Sequence, residues 1–368
     1  MSIKVWNYLK EYENEKKEIY FAIQRVLESG FLILGENVKR FETEFARYCG
    51  VEFGIGVNSG TDALFLALKS LDIGSGDEVI TVANTAVPTV STIVSTGATP
   101  RFVDIVPETY LMDTSKLEKA ITEKTRCILP VHLYGQCVNM DEIKQIANKY
   151  GLKIVEDCAQ SHGASFKGKK AGSMSDLAAF SFYPTKILGG YGDSGMILTN
   201  NKNLYERLLR IRFYGMEKTY YSLEHGYNSR LDELHAAILL TKLTHLDEYI
   251  LRRKFLASQY DQSLAQTNLI LPETAPGNEH TYYLYVCRHP SRDQIIEELK
   301  KREIFVNISY PWPIHTMTAY KYLGYKEGDL PYTEQVAKEI FSLPLYPTLT
   351  DEEQKIIVTA LYEILAGM

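Results

Sequence analysis

The chain has 368 residues, 45% hydrophobic and 23% charged, which excludes a small stapled module and leaves too much apolar side chain for a disordered protein. Lys+Arg 40 against Asp+Glu 46 give a net charge of −6, so there is no broad basic field for a nucleic-acid backbone. Cys49, Cys127, Cys137, Cys158 and Cys287 form no Cys-x-x-Cys pair, which suggests neither a zinc site nor a disulfide framework and fits a reducing compartment. Met1 to Tyr20 is charged and lacks the apolar centre of a signal peptide, and no later stretch approaches ~18 uninterrupted apolar residues. The expectation is a cytoplasmic protein with neither nucleic acid nor membrane as partner.

From about residue 54 to 200, short apolar runs alternate with segments of helical period. The runs are Val79–Val82, Arg101–Ile105, Cys127–Val131, Lys153–Asp157, Ala179–Phe182 and Met196–Thr199. Helices are expected over Thr61 to Leu71, with Ala63, Leu64, Ala67, Leu68 and Leu71 on one stripe, and over Met140 to Tyr150 before Gly151. This order predicts an α/β fold with a mainly parallel central sheet. From Leu231 to Leu264 the pattern turns helical, followed by possible strands at Tyr282 to Val286 and Ile304 to Ile308. The expected organisation is a large α/β domain over 1–245 and a smaller C-terminal α+β domain over 246–368, joined by a continuous helix near 240–255. Asp351, Glu352 and Glu353 read as a first helical turn after Thr350.

Three places can carry chemistry. Ser59 is placed to cap the Thr61 helix, leaving the Gly60 and Thr61 amides and the Thr61 hydroxyl for an anion, although a cap without a ligand explains the same residues. Asp157 ends an apolar strand, where the carboxyl ends of parallel strands form a ligand crevice, and it could equally cap the next segment of chain. Lys186 falls in the glycine-bounded turn after Phe180-Ser181-Phe182, where a lysine near a buried crevice can become a nucleophile; most lysines are only solvated surface. Together, in this order, they supply what pyridoxal 5′-phosphate needs: an anion cradle, a partner for the ring nitrogen and a Schiff-base amine. His132, His162, His235, His245 and His315 show no ligand spacing on one helix, so no metal is expected.

The chain resembles the DegT/StrS-type nucleotide-sugar aminotransferases, a branch of the fold-type I pyridoxal-phosphate enzymes. The resemblance runs over Gly35 with Phe41-Glu42, Asn58 to Leu64, Gly76 to Ile80, Val131 to Gly135, Glu156 to Gln160, Phe180 to Lys186 and Tyr227 to Glu233. It implies Lys186 as the Schiff-base lysine, Asp157 as the ring-nitrogen partner, Gln160 near the cofactor's ring oxygen and Ala159 against one ring face. Gly60, Thr61 and Ser181 match phosphate contacts, and Asn228 the asparagine given by a neighbouring subunit, which implies a homodimer with shared active sites. Tyr183, Tyr310 and His315 are the candidates for the sugar and Lys218 for its diphosphate. The implied reaction passes an amino group from L-glutamate to a nucleotide-linked keto sugar.

Two departures from the family pattern stand out. Ala86 occupies the place of an aromatic residue that stacks on the cofactor, and Ser309 begins a block that usually begins with histidine. The strings Asn84 to Thr89 and Gly192 to Gly195 look more like members that aminate C3 of a dTDP-linked 3-keto-6-deoxyhexose, giving a dTDP-3-amino-3,6-dideoxyhexose. Alternatives are a 4-keto-sugar aminotransferase, a sugar dehydratase of the same fold, whose relatives replace the lysine by histidine, and a non-enzymatic regulator.

Overall fold

Seven strands form one sheet in the computed structural model, which describes residues 2–368. They are β1 (Phe53–Val57), β2 (Glu78–Val82), β3 (Thr99–Val103), β4 (Thr125–Ile128), β5 (Lys153–Asp157), β6 (Leu177–Ser181) and β7 (Gly195–Thr199). Their order is β1-β7-β6-β5-β4-β2-β3, and only β7 runs against its neighbours. Helices cover both faces, so the strand side chains are mostly buried, which is why these segments read as apolar runs instead of alternating ones. The α/β class and the mainly parallel sheet stand as expected.

Local chemistry sets the helix ends. The Asp62 amide donates to Ser59 Oγ at 3.0 Å, starting the Gly60–Ser70 helix as foreseen. Gly151, at φ 65°, closes Met140–Tyr150. Thr350 and Glu353 form a reciprocal capping box that starts Asp351–Ala366. A remote carboxylate starts Glu36–Cys49: Glu233 accepts from the amides of Asn37 at 3.0 Å and Val38 at 2.9 Å. A Cβ on Gly35 would lie 2.8 Å from Glu233 Cδ, so this close approach needs glycine.

The helix over 240–255 is not continuous. Glu233–Leu243 stops and Leu246–Leu264 begins. At the break the Thr244 and His245 amides donate three residues back, and Thr244 Oγ1 also donates to the Thr241 carbonyl at 2.7 Å. A second core gathers Leu256, Tyr260, Ile295, Phe341 and Leu361, with Ile3 from the N-terminus. Its strands are Tyr285–Arg288 and Ile340–Leu343, paired antiparallel. The strand expected from Tyr282 starts three residues later because Tyr282 sits at φ 50°. Ile304 to Ile308 is not a strand: only Ile304 and Asn307 make single bridges, to Ile3 and Ser342. Among the described residues no helix is long and apolar enough to cross a membrane.

Candidate active site

The carboxyl ends of β1, β5 and β6 meet at one edge of the sheet. A cavity of about 250 Å³ opens there, lined among others by Gly60, Thr61, Asp157, Ala159, Ser181 and Lys186. One wall is the start of the Gly60–Ser70 helix. Its Asp62 amide is used by Ser59 Oγ and its Ala63 amide by the Ser59 carbonyl, which leaves the Gly60 and Thr61 amides as the end of the helix dipole. Gly60 lies so close to β6 that a Cβ there would fall 2.5 Å from Ser181 Cβ. Helix start and Ser181 therefore form one surface suited to an anion.

Asp157 stands across the cavity, 4% exposed. Its carboxylate accepts from Thr89 Oγ1 at 2.8 Å and from the Ala159 amide at 3.1 Å. Burial pushes its carboxyl above the usual range, against the pull of those two neutral donors and of the Lys186 charge. A carboxylate so placed is suited to a cation that is itself buried, such as a protonated ring nitrogen. Thr89 is positioned because Pro88 fixes the first turn of Val87–Ser95, and its hydroxyl also pairs with Thr85 at 2.8 Å.

Lys186 follows β6 in a tight turn that Pro184 begins. Its amide donates to the Tyr183 carbonyl at 2.8 Å, and the Gly190 amide returns to the Phe182 carbonyl at 2.8 Å. A Cβ at Gly189 would meet the Pro184 carbonyl oxygen at 2.5 Å, so the turn closes only around glycine. Gln160 stands beside the cavity with its amide orientation fixed: Oε1 accepts from the Tyr134 amide at 3.0 Å, so Nε2 faces Tyr310 and donates to its hydroxyl. The Tyr134 and Tyr310 rings lie parallel, 6.3 Å apart.

Beneath Asp157, Glu156 accepts from His132 Nε2, the Gly172 and Met174 amides and Ser175 Oγ. Burial would raise its carboxyl, but these donors hold it below the usual value, while burial pushes the adjacent Cys158 thiol well up. The cluster braces β5.

The cavity gathers Gly60, Thr61, Asp157, Ala159, Ser181, Tyr183 and Lys186 from the expected set, with Gln160 and Tyr310 linked next to it. Three residues lie elsewhere. His315 is fully buried, and its Nε2 bonds Glu334 Oε1 at 3.0 Å, beside a separate cavity that includes Trp312 and Lys338. Asn228 is exposed, its Oδ1 accepting from Arg230 Nε at 3.1 Å. Lys218 ends an exposed hairpin strand, Met216–Lys218. Ala86 does line the cavity, in the place where the family pattern has an aromatic residue. Thr89, Asp193 and Tyr283 were not among the expected site residues; Thr89 and Asp193 fall within the Asn84 to Thr89 and Gly192 to Gly195 strings, while nothing local marks Tyr283.

The sequence profile of the DegT/DnrJ/EryC1/StrS aminotransferase family matches residues 13–362. Over the whole of both chains, 52% of residues are identical to the dTDP-3-amino-3,4,6-trideoxy-alpha-D-glucose transaminase of Micromonospora megalomicea subsp. nigra. The dTDP-3-amino-3,6-dideoxy-alpha-D-galactopyranose transaminase of Aneurinibacillus thermoaerophilus is 44% identical over 94% of each chain. Among solved structures, S. venezuelae DesV in complex with a ketimine intermediate superposes with a TM-score of 0.97, at 42% identity and over 98% of each chain. The anion cradle, the buried carboxylate and the lysine thus stand in a chain that belongs to the DegT/DnrJ/EryC1/StrS aminotransferase family, and it is a pyridoxal 5′-phosphate-dependent aminotransferase.

Proposed function

We propose that this enzyme transfers the amino group of L-glutamate to C3 of a dTDP-linked 3-keto-6-deoxyhexose, giving a dTDP-3-amino-3,6-dideoxyhexose. The observation that carries the reading is the cavity in which Lys186 and Asp157 stand opposite the start of the Gly60–Ser70 helix. The names of two relatives agree on a dTDP-linked product aminated at C3. They differ at C4, and a hydroxyl there is our reading.

Pyridoxal phosphate, when bound, supplies an electron sink for the carbon that gains or loses a proton. Its phosphate fits the Gly60 and Thr61 amides with the Thr61 and Ser181 hydroxyls. Asp157 holds a positive charge at the ring nitrogen, and Thr89 and the Ala159 amide hold Asp157 in place. Ala159, which lines the cavity, would pack against one ring face. With its oxygen turned to the Tyr134 amide, Gln160 presents its NH2 as a donor beside the cavity, and that suits a ring oxygen bearing negative charge. Lys186 Nζ takes the proton from the donor's α-carbon and returns it on the other side of the exchange.

The hydroxyls of Tyr183 and Tyr310 are the proposed sugar contacts. His315 is set aside, since its imidazole is enclosed and tied to Glu334. Asn228 and Lys218 are assigned to the cavity of a second subunit, Asn228 toward the phosphate and Lys218 toward the diphosphate. Support comes from the apolar surface of the N-terminal helix and the turn after it, where Phe21, Leu27 and Phe31 are 61%, 60% and 69% exposed. A homodimer in the cytoplasm, with domains divided at 245 and 246, completes the reading. Incubation with glutamate and a panel of dTDP- and UDP-keto sugars, with the aminated carbon read by NMR, tests it. The 3-amino product from the dTDP-3-keto sugar is expected, and a 4-amino product would overturn it.

A further inference from the structure

Lys186 Nζ lies 4.6 Å from the centre of the Tyr283 ring, within cation–π range. Tyr283 is buried, and its hydroxyl pairs with Thr185 Oγ1 at 3.0 Å, so the ring is fixed by the residue next to the lysine. The segment that brings it is anchored in turn. The Thr281 amide donates to the Gly135 carbonyl at 2.8 Å, and Arg253 Nη1 donates to the Tyr283 carbonyl at 3.3 Å. Gly135, at φ 113°, allows the approach, since a Cβ there would fall 2.8 Å from the Tyr282 and Tyr283 amides. The other charged or titratable groups around the lysine are Asp157 at the end of β5, Tyr183 and Asp193 lining the same cavity, and His162 in the loop after β5, with the Tyr310 phenol close to Tyr283 and Asp157.

We propose that Tyr283 is a positioning residue that holds the protonated amine of Lys186 against its ring face, keeping the proton on Nζ between its removal from one carbon and its delivery to the next. The ring's negative face favours the ammonium over the amine, and the ring adds no competing base or acceptor at that face. This rests on the reading of Lys186 as the proton carrier.

The test measures the Lys186 amine in the full-length chain freed of cofactor, from the pH dependence of its acetylation read by peptide mass spectrometry. Tyr283→Phe keeps the ring and should leave the amine's pKa in place. Pentafluorophenylalanine at 283 keeps the shape but reverses the ring's charge distribution, and should lower that pKa by about half a unit or more, as should Tyr283→Leu. An unchanged value with the fluorinated ring, or an equal shift in Tyr283→Phe, would overturn the proposal. The titration needs neither cofactor nor turnover, so it fails separately from the assignment of Lys186, which is overturned by recovering the reduced cofactor on a different lysine.

Discussion

A carboxylate buried as Asp157 is, with only a threonine hydroxyl and one amide as donors, keeps its charge when something positive meets it. Asp157→Asn leaves the phosphate end of the cavity intact, so the variant should still hold cofactor. Its glutamate half-reaction, followed by rapid absorbance measurements, should fall on the order of a hundredfold, about 3 kcal/mol. A rate within about threefold of the parent would remove Asp157 from the mechanism. His162 makes a second prediction at this scale. Enclosed by Phe45, Phe180 and Phe182, its imidazole is driven down to about 3 by burial, with the Lys186 charge adding to the effect. The unfolded chain, where histidine titrates near its ordinary value of about 6.5, therefore binds the proton first. Stability is full above that value and declines as the pH falls toward 3, by up to about 1.4 kcal/mol per pH unit for each such histidine; His280 is driven the same way by burial. His162→Leu should lose less melting temperature than the parent between about pH 7 and about pH 5. An identical loss in both would show that His162 does not titrate on unfolding.

At the scale of elements, the site is a contact between a helix start and strand ends. Gly60→Ala would press a methyl group into Ser181, and the helix must then back away from β6. Cofactor affinity, titrated by absorbance on the apoprotein, should drop on the order of tenfold or more, and the melting temperature should fall with the forced shift of the helix. Unchanged affinity would mean that the phosphate sits elsewhere. Ser59, Asp157 and Lys186 were legible in the sequence because each is marked by its neighbours: a cap before an apolar stripe, a carboxylate ending an apolar run, a lysine between proline and glycines. Thr89 and Tyr283 reach the site from 68 and 98 residues away from the groups they bond, Asp157 and Thr185, and no local pattern encodes such a meeting. The helix break at Thr244 escaped for a related reason: neither Pro nor Gly marks it, only a hydroxyl that donates to a carbonyl of the helix. Ile304 to Ile308 had a strand's composition, but its neighbours offer single bridges and no continuous edge.

At the scale of the whole molecule, the large core around the sheet builds the cavity, and the C-terminal part closes in on it with Tyr283 and Tyr310. The proposed homodimer adds a further level, at which Asn228 and Lys218 of each chain would complete the other's site. Mixing inactive Lys186→Ala with inactive Asn228→Ala under conditions of subunit exchange should restore part of the activity, because one site of each mixed dimer carries neither change. Absence of rescue where exchange is demonstrated would place Asn228 outside any shared site. The central claim, that this cavity holds pyridoxal phosphate on Lys186, is tested most directly by borohydride reduction of the holoenzyme followed by peptide mass spectrometry. A pyridoxyl group on the peptide containing Lys186 is predicted, and its recovery on any other lysine would contradict the account.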